Sequence, residues 1–357
     1  MNKAVLAILI AAAGLSGWVL WHVAPASGAL SAYEQRLVED CVRVDVHPGT
    51  EDATIDPDTN LVFVSASDRR AAIAGAPVRG GIFTVDLGGG YRVARVSPDA
   101  PADFQPHGIS LWRGPGGEKR LFVINHPIAG GHSVEIFEVG DRGALTYAET
   151  VSFDAMHSPN DVVAVGPRAF YATNDRGFVG GVLETLEAYL ALPFASVVHF
   201  DGTAGRVVEP GLVYANGINV SADGATIYVA ELLKRRIAVF SRDVESGELH
   251  RVRNASVDTN PDNIEVARDG ALWIAGHPKI FDFLKHAGDA DAVAPSHVIR
   301  VSPRTWEATD VFYDGSGAIN GSSVGAVWDK TLIVGAVFDG HVMACPMLEI
   351  FLRAPDA

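Results

Sequence analysis

With 357 residues, 48% of them hydrophobic, the chain can bury one large core or two average ones, and this composition excludes intrinsic disorder. Its 28 Lys+Arg against 43 Asp+Glu give a formal charge of -15, the wrong sign for gripping a phosphate backbone, so nucleic acid is excluded as a partner. An acidic surface favours solubility, and its carboxylates can also serve a hard cation.

The chain opens on Lys3 and a largely apolar run, AVLAILIAAAGLSGWVLW from Ala4 to Trp21, followed by the small-residue stretch APASGALSA. Residues 1–30 therefore read as a hydrophobic N-terminal helix, either a secretory signal peptide or an uncleaved signal anchor at the short end of what spans a bilayer. Trp18, Trp21 and His22 resemble an interfacial belt and favour the anchor. Either reading exports residues 31–357, to a membrane-anchored, periplasmic or extracellular position. The two cysteines, Cys41 and Cys345, lie near the ends of that remainder. In an oxidising compartment such a pair suggests a disulfide joining the first and last elements; the alternative is two unrelated thiols.

No linker or charge run divides residues 31–357, but a pattern recurs every 46 to 60 residues. Six segments share a polar pair, a short strand, a turn and a second apolar strand, among them EDATIDPDTNLVFVSA, NDVVAVGPRAFYATND and NGINVSADGATIYVAE. Further strand-like runs such as GIFTVDL, SVEIFEVG and HVIRVSP fill the intervals. Six units of about four short strands are what an all-β, six-bladed β-propeller requires.

In a propeller the first strand of each blade lines the central channel, so residues at equivalent offsets converge. The first column reads Glu51, His107, Asn160, Asn216, Asp262 and Ser322, and the second Asp52, Gly108, Asp161, Gly217, Asn263 and Ser323. Carboxylates and amides gathered there without a neighbouring Lys or Arg would repel one another unless a cation neutralised them. Asp, Glu and Asn oxygens suit Ca2+, which takes six to eight ligands in irregular geometry, whereas a set with no Cys and a single His suits zinc poorly. The plain alternative is that each Asn or Asp merely starts a strand in an Asx-turn.

The stretches FQPHGIS, LFVINHP, PNDVVAVGP with FYATND, YANGINVSADG, DNIEV with LWIAGHP, and GSSVGAVW, bounded by Cys41 and Cys345, resemble the serum paraoxonase/arylesterase family over nearly the whole domain. The resemblance implies a propeller tunnel with two Ca2+ ions, a disulfide between the ends, and an N-terminus that meets membrane or lipid. By motif, a catalytic Ca2+ would be held by Glu51, Asn160, Asn216, Asp262 and Asn263, and a structural one by Asp52, Asp161 and the carbonyl of Ile109. The family's His pair falls on His107 and His126. Gly276 stands where the family often has a free cysteine, and SDRRAAIAGAP lacks the aromatic residue of the family's flexible loop, which puts substrate preference in doubt. LETLEAYLALPF, with Leu183, Leu186, Tyr189 and Leu190 on one helical face, resembles a lid or else an ordinary packed helix.

Ester or lactone hydrolysis needs an activated water and a stabilised oxyanion, roles that a histidine near neutrality and a Ca2+ with an open position can fill. His107 is assigned as base and His126 as its orienting or relaying partner; the bland reading of His126 is a satisfied polar residue at a strand end. No GxSxG elbow, HExxH helix or nucleotide-binding glycine pattern occurs in a suitable context. The expected activity is calcium-dependent hydrolysis of small apolar lactones or aryl esters. The rivals are a gluconolactonase-like or strictosidine-synthase-like propeller enzyme and a non-catalytic calcium-binding propeller.

Overall fold

The computed structural model describes residues 2–347, in which six four-stranded antiparallel sheets form the blades of a propeller. The inner strands are Thr50–Asp56, Pro106–Arg113, Pro159–Ala164, Ala215–Val220, Pro261–Val266 and Ser322–Trp328. Each touches the inner strands of the blades before and after it, so the six close a ring around one axis. The architecture is all-β and six-bladed, as the repeat spacing predicts.

Behind each inner strand lies a second strand buried on both faces by the neighbouring blades, which is why its apolar residues run continuously instead of alternating. Leu121, Phe122, Val123 and Ile124 show this, all fully buried. Their side chains divide between two clusters: Leu121 and Val123 pack with Phe63 and Ile82 of blade 1, while Phe122 and Ile124 pack with Phe170 and Ala172 of blade 3. The core is thus a ring of wedges between blades, with a cluster at every junction. Turn chemistry sets the hairpins: the Asp56 carboxylate accepts from the Asp58 N–H at 3.2 Å and the Thr59 hydroxyl at 2.7 Å.

The last blade closes the ring by borrowing a strand. Val42–Asp45 pairs antiparallel with His341–Pro346, in the register Val42 to Ala344, and forms the outer edge of the sixth sheet. The Cys41–Cys345 disulfide sits at this seam and links positions 304 residues apart. The disulfide expected between the first and last elements forms, and it fastens a seam that the sheet itself closes. Cys41→Ser with Cys345→Ser is expected to cost about 2–5 kcal/mol, because the bridge constrains a very long loop in the unfolded chain. Urea unfolding of the double variant against the parent measures this.

Among the described residues four α-helices decorate the ring: α1 (Lys3–Ala26), α2 (Arg69–Ile73), α3 (Gly181–Leu190) and α4 (Ile280–Gly288). Asn2 caps α1 by accepting from the Ala4 N–H at 3.1 Å, and Pro25 lies in its last turn. Among the described residues no helix is long and apolar enough to cross a membrane, so the spanning form of the anchor expected for residues 1–30 finds no support. Trp21 is exposed, whereas the side chains of Trp18 and His22 lie outside the described residues. The chain after α1 is tied down: the Asn260 amide donates to the Ala26 carbonyl at 2.7 Å and Lys279 Nζ to the Gly28 carbonyl at 2.7 Å.

Candidate active site on the propeller axis

Every inner strand breaks its ladder at its polar pair. In blades 2 to 5 the pairing jumps from Pro106 to Ile109, Pro159 to Val162, Ala215 to Ile218 and Pro261 to Ile264. Two residues then oppose one on the second strand, a bulge that re-aims side chains. The bulged pairs are His107 and Gly108, Asn160 and Asp161, Asn216 and Gly217, and Asp262 and Asn263, the two columns read from the repeat. In blades 1 and 6 the shifts fall at Glu51 and Ser323. The polar pair therefore belongs to the axis rather than to an Asx-turn at a strand start.

The glycines in these pairs allow the inner strands to approach. A Cβ on Gly108 would lie 2.3 Å from Asp161 Oδ1, and one on Gly217 would lie 2.4 Å from the Asp262 carbonyl. Only a hydrogen fits at either position.

Deeper on the axis, two buried carboxylates stitch neighbouring blades. Asp52 accepts from the Ala53 N–H at 2.8 Å and from the Ile109 N–H of blade 2 at 2.6 Å. Asp161 accepts from Val162 at 2.7 Å and from Ile218 of blade 4 at 2.7 Å. Burial first, and the neighbouring carboxylates second, push both carboxyls well above the usual range despite these donors. Asp52 thus meets Ile109 through its N–H, whereas the motifs name the Ile109 carbonyl.

Nearer the mouth, Glu51 Oε1 accepts from the Asn263 amide at 3.1 Å and faces His107 Nε2 at 3.5 Å. Burial opposes its charge, but His107, Arg69 and Asn263 outweigh burial and hold the Glu51 carboxyl at about 2. Asp262 lies 3.0 Å from His277 Nε2, yet burial raises its pKa above the carboxylate norm. Glu51 Oε2, Asn160 Oδ1, Asn216 Oδ1 and Asn263 Oδ1 are all buried and have no hydrogen-bond partner. Each such orphan costs about 1–3 kcal/mol unless something else satisfies it. Four of the five residues expected at the upper ion thus present an unsatisfied oxygen, and Asp262 completes the set. Among the described residues no three His, Cys, Asp or Glu side chains are grouped so as to hold a metal ion by themselves.

The His pair assembles. His107 Nδ1 and His126 Nε2 share a proton across 2.8 Å, with the rings inclined at 60°. Burial, followed by the positive charge of nearby groups, pushes the His126 pKa well below its normal value, so this ring is neutral.

Two residues at the site escape sequence reasoning. Arg69, from the SDRR segment, places NH2 3.7 Å from Glu51 Oε2, so the acidic column does have a cationic neighbour. His132, six residues after His126, brings its Nδ1 to 2.9 Å from His126 Nδ1. Only the GG pair ahead of His132 hints at the turn that returns it.

A cavity of about 580 Å³ is lined by Asp175, Arg176 and Tyr214 and walled by apolar side chains of α1, α3 and α4; none of the polar-column residues or the three histidines lines it. Leu183, Leu186, Tyr189 and Leu190 of α3 are exposed, so α3 overhangs the ring instead of packing into it. Arg176 is held by Asp175 and Glu184.

Comparison with known proteins follows this geometry. The chain is 34% identical over 307 residues to serum paraoxonase/arylesterase 2 of Gallus gallus, covering 82% of this chain and 84% of that one. It is 35% identical over 245 residues to serum paraoxonase/arylesterase 1 of Homo sapiens, covering 66% and 67%. A solved gluconolactonase from Xanthomonas campestris shares the fold at a TM-score of 0.56 with 17% identity, over 87% of this chain and 91% of that one. The arylesterase family profile matches residues 49–346, which runs from just before Glu51 to the end of the last strand of blade 6, and the chain belongs to that family.

Proposed function

We propose that the chain hydrolyses aryl esters and lactones in a calcium-dependent reaction at the mouth of the propeller axis. The observation that carries this is the ring of buried, partnerless oxygens on Glu51, Asn160, Asn216 and Asn263, set against the His107–His126 pair. A Ca2+ held by those four residues and Asp262 would polarise the substrate carbonyl as a Lewis acid. A second ion among Asp52, Asp161 and the Ile109 carbonyl would be structural, since these two carboxylates already brace neighbouring blades.

The chain's own residues supply the proton chemistry. With its proton on Nδ1, directed at His126 Nε2, His107 has a free lone pair on Nε2 and can take a proton from water. His126 is half-buried and neutral, and as acceptor through Nε2 it would fix that tautomer and the orientation of the ring. The apolar walls of the cavity fit an apolar acyl or aryl group and exclude water. The exposed apolar residues Trp21, Tyr189, Phe281 and Leu284 of these walls, with Leu183 on α3, suit contact with a lipid surface. The Cys41–Cys345 disulfide fits an exported, oxidised protein.

The test is hydrolysis of phenyl acetate and a long-chain lactone in calcium and in excess chelator. Chelation is expected to reduce the rate at least about 100-fold, the order lost when a transition-state stabiliser is removed, with recovery on adding calcium back. Calcium-dependent stability with neither substrate cleaved would establish the non-catalytic binding propeller instead.

A further inference from the structure

The hairpin after Asn125 has an unusual composition. Asn125 pairs with Ser133 at the end of the ladder, so the loop residues directly beyond that pair, His126 and His132, face each other. Gly130 and Gly131, both at positive φ of 94° and 84°, carry the chain through the return that makes this possible. The two rings meet edge to face at 88° with their Nδ1 atoms 2.9 Å apart. His126 is already bonded to His107 through its other nitrogen. Three imidazoles therefore stand in series, the first at the axis and the third half-buried at the rim of blade 2.

We infer that His132 is a positioning and proton-relay residue that connects the His107–His126 pair to solvent. The inference rests on the hydrolase reading above. Hydrolysis of an ester at neutral pH yields an alcohol, a carboxylate and one proton, and that proton must leave a walled site.

One choice of tautomers lets the hydrogen bonds run in a single direction. His107 Nδ1–H donates to His126 Nε2, His126 Nδ1–H donates to His132 Nδ1, and the remaining His132 nitrogen carries its proton toward the His157 backbone. A proton taken up at His107 Nε2 allows each ring to pass on the one it holds, so one proton enters at His107 and one leaves from His132. No electrons move, and no bond changes except N–H. The proton released by His132 passes to water or buffer, and the two bonds between the rings then have reversed polarity until the rings reorient.

The surroundings of His132 match this role. Burial lowers its pKa, Asp175 and the hydrogen bond to the His157 backbone oppose that, and the charges of His157 and His107 add to the lowering, so the net shift favours the neutral ring. Its backbone carbonyl is pinned by the Ser152 hydroxyl at 2.8 Å, which holds the ring against His126.

The experiment compares the parent with His132→Gln in calcium, using phenyl acetate in dilute buffer and then with imidazole added. Glutamine keeps a hydrogen-bonding group but cannot relay a proton. The expected result is a kcat lower by about tenfold, a part of the 10²–10⁴ that acid–base catalysis supplies, with KM unchanged and the loss recovered as imidazole rises. A kcat equal to the parent's in dilute buffer overturns the relay, and so does a loss that imidazole leaves untouched, which would mark a purely structural residue. If the parent itself cleaves nothing, the hydrolase reading fails. For a variant that does not fold, 15N NMR of the parent's histidine rings is decisive: a through-bond coupling between the Nδ1 atoms of His126 and His132 is expected, and its absence removes the wire.

Discussion

His107→Gln is expected to lower kcat for phenyl acetate by about 10²–10⁴, the range typical of a lost general base. Glutamine fills a similar volume and can still hydrogen-bond toward His126, but it has no lone pair that takes a proton near neutrality. The fold should survive, because His107 is a bulged residue whose contacts are polar: Glu51 Oε1 at 3.5 Å and His126 Nε2 at 2.8 Å. Steady-state kinetics, paired with thermal unfolding in calcium, separate these effects. A kcat within about twofold of the parent would mean that another group activates the water.

Asp161→Ala is expected to have the largest effect on stability. Its carboxylate receives the Val162 and Ile218 N–H groups, both at 2.7 Å, and the second bond crosses from blade 3 to blade 4. Alanine leaves two buried donors without a partner, at about 1–3 kcal/mol each. The deeper ion proposed for Asp52, Asp161 and Ile109 would also lose a ligand. A ligand that binds only the folded state stabilises it by about 2.7 kcal/mol at 100 times its dissociation constant, so the calcium-induced rise in the unfolding midpoint should shrink as well. Urea unfolding of parent and variant, each in chelator and in millimolar calcium, reads both terms. An unchanged midpoint with a full calcium response would remove Asp161 from the axis.

The residues that make the site were legible for a definite reason. Asn160 with Asp161, and Asp262 with Asn263, put charge and amides where an inward-facing strand would otherwise be apolar, and they do so at a repeating offset. The bulges were not legible, because an extra residue in a ladder is defined only against its partner strand: Asn160 and Asp161 stand out once Pro159 is seen opposite Asn174 and Val162 opposite Ala172. His132 was passed over because its link to His126 depends on how two glycines turn the hairpin. Arg69 was passed over because α2 carries it back over the mouth from a segment whose composition resembles an ordinary loop.

The sequence by itself determined the blade number, the two polar columns and the cysteine pair, which follow from periodicity and residue type, properties of the chain; the His107–His126 candidates came with the family resemblance. Tertiary structure alone decided that Val42–Asp45 closes the sixth sheet, that four oxygens on the axis lack partners, that Arg69 faces Glu51, and that a third histidine extends the pair. These depend on distances between segments far apart in the chain, and such distances are set by how the blades pack around the ring.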